Sequence, residues 1–334
     1  MAEQNSNSEF VQWAFDSLLK RPASSSEEES LSTALHTSAM SRLEVLELII
    51  GGIEFRNSNQ HREFVPPGHF YSAVPSATDR QQVLAKPPAQ TPPAGINLNH
   101  AEQRALLEKF ALVYDESKIP LDRSPSQRYY ANNPAFSWHD AFVLNAMIKH
   151  FKPSSIIEIG SGFSSAMTLD TVDSQPDFNP SISFIEPFPE TLNSILRKGD
   201  SKRCTVLQSP VQEVPIERFS ALKENDLLFI DSTHVSKLGS DVNFIYFEVL
   251  PRLNSGVVVH IHDIFYPFEY PRHWIEEGRA WNELYLVRAL LASSNRYRIL
   301  SFNHYLAQAE NEYLGQTMPK LATGNCGSLW LKIV

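Results

Sequence analysis

The chain has 334 residues, of which 42% are hydrophobic and 20% charged, a composition that leaves room for one large and one small globular domain. Its formal net charge of −9 disfavours a nucleic-acid partner, because phosphate backbones are bound by clustered Lys and Arg. Two cysteines, Cys204 and Cys326, are too few for a disulfide framework and fit a reducing compartment. No signal-peptide pattern or bilayer-length apolar run is visible, so we expect a cytoplasmic protein with no membrane contact.

Residues 1–62 are predicted to form a small helical accessory module. Apolar residues recur there at helical spacing, and Ser24 begins a serine- and glutamate-rich stretch that supplies a helix cap. The segments 18–22, 41–45 and 54–56 resemble a small helical module of bacterial surface-glycan proteins. That resemblance makes glycan or natural-product modification one setting for the protein, and it leaves a protein partner for the module open.

Residues 63–99 are predicted to be a linker or a strap laid over the next domain. Seven of the 22 prolines fall between residues 65 and 93, and proline favours extended backbone without donors. The main domain is predicted to span residues 100–334, with a helical lead-in before a core at 150–334.

From residue 155 the sequence alternates between short apolar runs, typical of buried parallel strands, and helical segments. After a helix at 281–293, two further strands are expected to be antiparallel, because no convincing crossover helix joins them. We therefore predict an α/β fold with a doubly wound, seven-stranded, mostly parallel sheet. The predicted strands are 155–159, 182–186, 204–207, 227–231, 256–261, 297–302 and 328–334.

A strand, a glycine turn and a helix start follow one another at residues 156–165. Gly160 and Gly162 allow a tight turn, and the helix that opens at Ser164 directs free amides towards it. A dinucleotide-binding fingerprint would place a third glycine at position 165, where this chain has Ser165. The turn therefore predicts a cofactor site of another kind.

Carboxylates accompany this turn at the ends of the first two strands. Glu158 is predicted to be buried and to pair with an ammonium group, directly or through water. Glu186 is placed to accept both hydroxyls of a ribose, although it could also be a solvated helix cap. Gln212 and Glu213 stand where the adenine amino group would bind. The predicted cofactor-binding residues are Glu158, Gly160, Ser161, Gly162, Ser164, Glu186, Gln212 and Asp231.

A second group of polar residues ends the fourth and fifth strands, which should lie about 4.8 Å apart. Asp231, His262 and Asp263 are expected to converge at the carboxyl edge of the sheet, with His234 within reach. Three interpretations stay open: a site for a divalent metal held by Asp231, His262 and Asp263, a catalytic base with an orienting carboxylate, or a structural cluster. His260 is expected to be a buried, hydrogen-bonded histidine.

The aromatic segment 265–274 is predicted to wall an acceptor pocket, or else to be a packed, proline-stiffened loop. Trp281, Asn282, Tyr285 and Arg288 share one helical face and either reach this pocket or pack beneath it.

Residues 128–303 resemble a family of bacterial class I methyltransferases. The resemblance rests on 128–130, 158–165, 184–187, 228–235, 259–265 and 278–283. It implies S-adenosylmethionine as the cofactor and the class I fold. Catechol-type O-methyltransferases hold a metal at the same strand ends through acids and an asparagine, where this chain has His262-Asp263.

We therefore predict an S-adenosylmethionine-dependent methyltransferase that methylates a hydroxyl of a small molecule or sugar. Whether Mg²⁺ or another divalent metal assists the reaction stays open. A His/Asp site suits this chemistry, because a hydroxyl acceptor must lose its proton. The alternatives are a metal-dependent hydroxylase or hydrolase-like enzyme on the same fold, and a non-catalytic cofactor-binding subunit.

Overall fold

The structure is a computed structural model that describes residues 2–52, 64–87, 91–114 and 119–334, with side chains from residue 6 onward. It divides into two compact units, Met1–Asp79 and Arg80–Val334, and the division falls inside the predicted strap. No helix among the described residues is long and apolar enough to cross a membrane.

The first unit begins with the helices Ala2–Leu19, Ser25–His36 and Arg42–Gly51. The second and third begin with capping boxes, in which Ser24 pairs with Glu27 and Ser41 with Glu44. The helices enclose a small apolar core, whose buried members are Val11, Ala14, Phe15, Leu19, Ala23, Val45 and Ile49. Residues 53–62 of the predicted helical module lie outside the described residues.

The predicted strap contains a helix, Ala77–Ala85, that the sequence analysis missed. Its start is stabilised by Asp79, whose carboxylate accepts hydrogen bonds from both the backbone amide and the hydroxyl of Ser76. The density of proline indicated extended backbone throughout, but the prolines at 75 and 87 flank this helix without entering it.

The second unit is built on one seven-stranded sheet, and the predicted fold class is confirmed. The strands are β1 Ser155–Ile159, β2 Ser181–Ile185, β3 Cys204–Leu207, β4 Leu227–Ile230, β5 Val258–Ile261, β6 Tyr297–Phe302 and β7 Leu329–Ile333. Their order in the sheet is β3-β2-β1-β4-β5-β7-β6, with β1 to β5 parallel and β7 antiparallel to both of its neighbours.

Helices cover both faces of this sheet over two apolar cores. Successive strand residues point to opposite faces, so Ile157 packs in one core and Ile156 in the other. The α-helices are His100–Ala111, Trp138–Phe151, Phe163–Asp173, Glu190–Ile195, Glu217–Ser220, Asp241–Phe244, Arg272–Glu276, Glu283–Ser293, Asn303–Ala309, Asn311–Thr317 and Pro319–Thr323. A π-helical turn, Ile245–Val249, and a 3₁₀ turn, Leu250–Arg252, extend the sixth of these.

The connection between β6 and β7 corrects one prediction. The two strands are antiparallel as expected, but the last three short helices of the chain, between residues 303 and 323, lie between them. A connection between antiparallel strands leaves and returns at the same edge of the sheet, so helices there do not imply a crossover. Because β6 runs parallel to β5, that edge is the one at which β1 to β5 end.

Candidate active site

The turn after β1 requires a glycine at position 160. Gly160 has a φ of +76°, and a Cβ added there would lie 1.8 Å from the backbone oxygen of Asp231. Its amide donates to the carbonyl of Ile185, so the turn touches the ends of both β2 and β4. Gly162 is extended, with a φ of −178°, and an added Cβ would make an ordinary 3.6 Å contact with Thr191.

Glu158 lies beneath this turn and is fully buried. Its Oε1 accepts hydrogen bonds from the hydroxyls of Ser164, at 2.6 Å, and Ser165, at 2.7 Å. Its Oε2 has no hydrogen-bond partner within the described ranges, and burial raises the pKa of the carboxyl to about 8. The hydroxyl of Ser164, a residue predicted to bind the cofactor, supports Glu158 in the structure, and Oε2 is left for a ligand donor.

Glu186 is tied to the same turn by backbone hydrogen bonds. Its Oε2 accepts from the amide of Ser161 at 3.0 Å, and its Oε1 accepts from the amide of Phe188 at 2.9 Å. Each carboxylate oxygen keeps a second lone pair with which it can accept a ribose hydroxyl. Gln212 lies on the turn Val211–Glu213, where its amide nitrogen donates to the carbonyl of Gly239.

Asp231, His262 and Asp263 come together at the ends of β4 and β5. Their potential ligand atoms lie within 4.8 Å of one another. Nδ1 of His262 is 3.3 Å from Oδ1 of Asp263 and 3.8 Å from Oδ1 of Asp231. Neither ring nitrogen of this buried histidine has a hydrogen-bond partner in the described part of the chain. The predicted convergence is therefore present, with the imidazole held between two carboxylates.

His234 joins this cluster from the loop after β4. Its Nε2 is 3.4 Å from Oδ1 of Asp231 and from Oδ2 of Asp263. Its Nδ1 donates to Oε2 of Glu283 at 2.8 Å, and the Ser232 hydroxyl donates to the same oxygen. Glu283 is fully buried and orients the imidazole, a role that the sequence analysis did not assign although this acid closes one of its motif stretches.

Asp140 is a second residue of the cluster that the sequence analysis missed. It belongs to the helix Trp138–Phe151, and its Oδ2 lies 3.9 Å from Nε2 of His262. Asn303 and the amide of Gly327 donate to it from the connection between β6 and β7. The available signal was an acid at the start of an otherwise apolar helical run.

Electrostatics couples these groups. Burial alone would lower the pKa of His262, but Asp263 and Asp231 outweigh it and raise the pKa to about 10. Burial also acts to lower the pKa of His234, but Asp231 and Glu283 outweigh it and raise that pKa well above its usual range. The two imidazoles hold the pKa of Asp231 below its ordinary value against the effect of burial.

Two cluster residues stand on left-handed backbone, which is uncommon for residues other than glycine. His234 has a φ of +61° and Asp263 a φ of +58°. Such conformations persist where surrounding contacts impose them, and they concentrate at functional sites. At His234 one such contact is the hydrogen bond that its backbone amide donates to the hydroxyl of Ser232.

Aromatic rings shield the cluster from two sides. Trp281 lies on His234, with ring centroids 4.4 Å apart, and Phe136 lies 5.2 Å from His262. Trp281 also contacts Trp274 of the aromatic segment, at 5.1 Å. His260 is fully buried with its ring 5.7 Å from that of His262, and its Nε2 pairs with the Ser328 hydroxyl at 2.8 Å, as expected of a buried, hydrogen-bonded histidine.

Comparison with known proteins identifies the family. A profile described as a methyltransferase domain matches residues 157–264, which run from β1 to the residue after Asp263. An uncharacterized protein of Archaeoglobus fulgidus is 32% identical over 206 residues, covering 58% of this chain and 88% of that protein. The chain belongs to the class I S-adenosylmethionine-dependent methyltransferases.

The solved structures that this methyltransferase matches in structural comparison have low sequence identity with it. A Podospora anserina methyltransferase bound to S-adenosylhomocysteine is 16% identical, with a TM-score of 0.38, covering 69% of this chain and 88% of the other. A Bacillus cereus O-methyltransferase, also with S-adenosylhomocysteine, is 15% identical, with a TM-score of 0.36, covering 69% and 91%.

S-adenosylmethionine is the cofactor that this family uses, and the turn after β1 fits it. A buried carboxylate oxygen on Glu158 has no partner among the described residues, and the cofactor carries an ammonium group that could supply one. Gly160 removes side-chain bulk where the turn meets Asp231. The cofactor turn, defined here as residues 158–165 together with Glu186, therefore adjoins the acid–imidazole cluster of Asp231, His234, His262 and Asp263.

Proposed function

We propose that this methyltransferase transfers the methyl group to a hydroxyl oxygen of a small molecule or sugar, at the acid–imidazole cluster and with a divalent cation. The observation that carries the proposal is the convergence of Asp231, His262 and Asp263, whose potential ligand atoms lie within 4.8 Å of one another. Asp231 also contacts Gly160 through its backbone oxygen, so the cluster adjoins the cofactor turn.

The donor set favours a cation over a metal-free base. Four carboxylates, from Asp140, Asp231, Asp263 and Glu283, lie within 4 Å of two buried imidazoles. Carboxylates placed this close repel one another unless a cation or proton lies between them; protons on the two imidazoles meet this need when no metal is bound, and a divalent cation would take their place. Carboxylate oxygens with one imidazole suit Mg²⁺ or Mn²⁺, or a related divalent ion.

Asp231, His262 and Asp263 would hold the cation, which when bound supplies positive charge that favours an ionised acceptor hydroxyl. The chain itself supplies the remaining functions. Glu283 fixes the orientation of His234, and the rings of Trp281 and Phe136 limit the access of water. Methyl transfer is an in-line displacement on a sulfonium carbon, so a cluster beside the cofactor turn is placed to position the acceptor.

The cofactor turn is proposed to bind S-adenosylmethionine through three groups. Glu158 would accept from the amino group of the cofactor, Glu186 from the ribose hydroxyls, and Gln212 would meet the adenine amino group. Gly160, Ser161 and Gly162 would let the backbone of the turn approach the cofactor closely, and Ser164 supports Glu158. The unpaired Oε2 of Glu158 and the second lone pairs on Glu186 support these assignments.

The test is methyl transfer from labelled S-adenosylmethionine to a panel of hydroxylated aromatic acids and sugars, with and without a chelator. We expect product only on oxygen, loss of turnover with chelator, and recovery when Mg²⁺ or Mn²⁺ is added. Turnover that is unaffected by chelator but lost in His262→Ala would support the base-and-orienter alternative instead. Methylation on nitrogen or carbon alone would contradict the choice of acceptor atom.

A further inference from the structure

A cavity of about 470 Å³ lies in the second unit beside the aromatic segment that follows β5. Its walls come from residues 83–87, the segment 265–272 and the helices Glu283–Ser293 and Asn303–Ala309. None of the cluster residues lines it, so the cavity is separate from the candidate active site. A volume of this size fits a small organic molecule.

The inner wall of the cavity is aromatic and closely packed. Phe265 and Tyr270 are buried, and Phe265 lies edge-on to Trp274 with ring centroids 5.1 Å apart. The ring of Tyr266 packs against Tyr305 at 5.0 Å. These contacts fix the wall in place, so that it presents a preformed apolar surface to a bound molecule.

The rim of the cavity is cationic. Lys86, Arg272 and Arg288 line it and are exposed, and within the described residues none of the three side chains has an ion pair or hydrogen bond. Glu269 is the one acid among the described lining residues, and its Oε1 accepts hydrogen bonds from the Tyr285 hydroxyl and the Tyr270 amide. The cavity thus has excess positive charge in a chain with a net charge of −9.

One layer of side chains separates this cavity from the candidate active site. A Cβ added to Gly327 would lie 2.9 Å from Cζ of Phe265 and 3.2 Å from Oδ1 of Asp263. The ring of Phe265 therefore lines the cavity on one side and lies close to a cluster carboxylate on the other.

We propose that this cavity binds a small organic anion. Its apolar or aromatic part would lie against Phe265 and Tyr266, and its acidic group would be held at the rim by Arg272, Arg288 and Lys86. Guanidinium groups bind carboxylates and phosphates through paired hydrogen bonds, and unpaired cations at an apolar cavity favour an anion over a neutral molecule. The proposal does not depend on a cation at the cluster or on the acceptor atom.

Calorimetric titration of the full chain tests this site, with phenyl phosphate and benzoate as anionic probes and benzyl alcohol as the neutral one. A chelator is present so that no anion binds through a cation at the cluster. We expect at least one anion to bind about tenfold or more tightly than benzyl alcohol. Which of the two anions binds more tightly distinguishes a phosphate-bearing from a carboxylate-bearing ligand.

Arg272→Ala combined with Arg288→Ala should weaken anion binding about tenfold or more. Arg218→Ala removes an exposed arginine outside the cavity lining and should leave anion binding unchanged. Unchanged S-adenosylhomocysteine affinity in the double variant shows that it is folded. Anion binding that persists in the double variant, matches that of benzyl alcohol, or is displaced by S-adenosylhomocysteine would overturn the proposal.

Discussion

The cofactor turn and the acid–imidazole cluster lie side by side, yet they are completed in different ways. In the turn, Glu158 and Glu186 are held by hydroxyls and amides from within one β-α-β segment. In the cluster, by contrast, both nitrogens of His262 lack a hydrogen-bond partner in the part of the chain that the structure describes, and carboxylates surround the ring.

This difference indicates what each region still needs. The turn is a locally assembled scaffold in which one buried oxygen remains for a ligand. The cluster draws Asp140 and Glu283 from helices far along the chain, and its charges are not balanced by hydrogen bonds alone. We infer that the turn is preformed for the cofactor, whereas the cluster is completed by a cation.

The largest effect is expected from the cluster. Asp263→Asn keeps the shape of the side chain and tolerates the left-handed backbone there, but removes one anionic ligand. We expect turnover to fall roughly 10²- to 10⁴-fold while S-adenosylhomocysteine still binds. Asp177→Asn, at an exposed residue that also has a positive φ, is the matched control and should leave turnover unchanged. Equal turnover in the two variants would show that the Asp263 carboxylate has no role in catalysis.

A pH-dependent effect on stability is expected from the turn. Because the pKa of Glu158 is raised from 4.5 to about 8 in the folded protein, the unfolded chain loses this proton first as pH rises. Stability in the absence of cofactor should therefore fall between about pH 5 and pH 8, by up to roughly 4 kcal/mol from this group.

Glu158→Gln should reduce that decline, because glutamine does not titrate. The stability of the variant relative to the native chain should therefore be higher at pH 8 than at pH 5. Urea unfolding at the two pH values measures the difference. Glu217→Gln, at an exposed acid, should follow the native chain. A Glu158 variant with an undiminished decline would show that this carboxyl titrates normally.

A smaller effect is expected at the second strand. Glu186→Ala should weaken S-adenosylmethionine binding by roughly 1.5–3 kcal/mol, because charge-assisted hydrogen bonds to the ribose are lost. Calorimetry measures the affinity, and Glu190→Ala, in the exposed first turn of the next helix, serves as the control. Unchanged affinity in a folded Glu186 variant would assign this acid to holding Ser161 and Phe188 only.

The smallest effect is expected from the N-terminal helices. Removal of residues 1–60 should leave a protein that binds S-adenosylhomocysteine as the full chain does, because the sheet and both of its cores belong to Arg80–Val334. The affinity of the shortened chain is the measurement. Aggregation or lost affinity would show that the helical module is part of the main core.

The sequence predicted the sheet and the turn well, because both depend on local pattern. Apolar runs indicated every strand to within two residues, and the glycine turn was recognisable from residues 156–165 alone. It also predicted that Asp231, His262 and Asp263 converge, since parallel strands end at one edge. These inferences needed only the order of the elements.

What the sequence could not indicate depends on contacts between distant segments. Asp140 and His262 are 122 positions apart, and Glu283 reaches His234 across 49. No local period links such pairs. The helix Ala77–Ala85 was obscured by flanking prolines, and the helices between β6 and β7 by the assumption that an antiparallel connection is direct.

Crystals soaked with Mn²⁺ and S-adenosylhomocysteine would reveal whether the cluster binds a divalent cation. We expect one anomalous peak within about 2.0–2.6 Å of Asp231, His262 and Asp263, and no such peak in Asp263→Asn. Absence of a peak at saturating Mn²⁺, with these side chains pointing apart and each satisfied by protein groups, would contradict cation binding at the cluster.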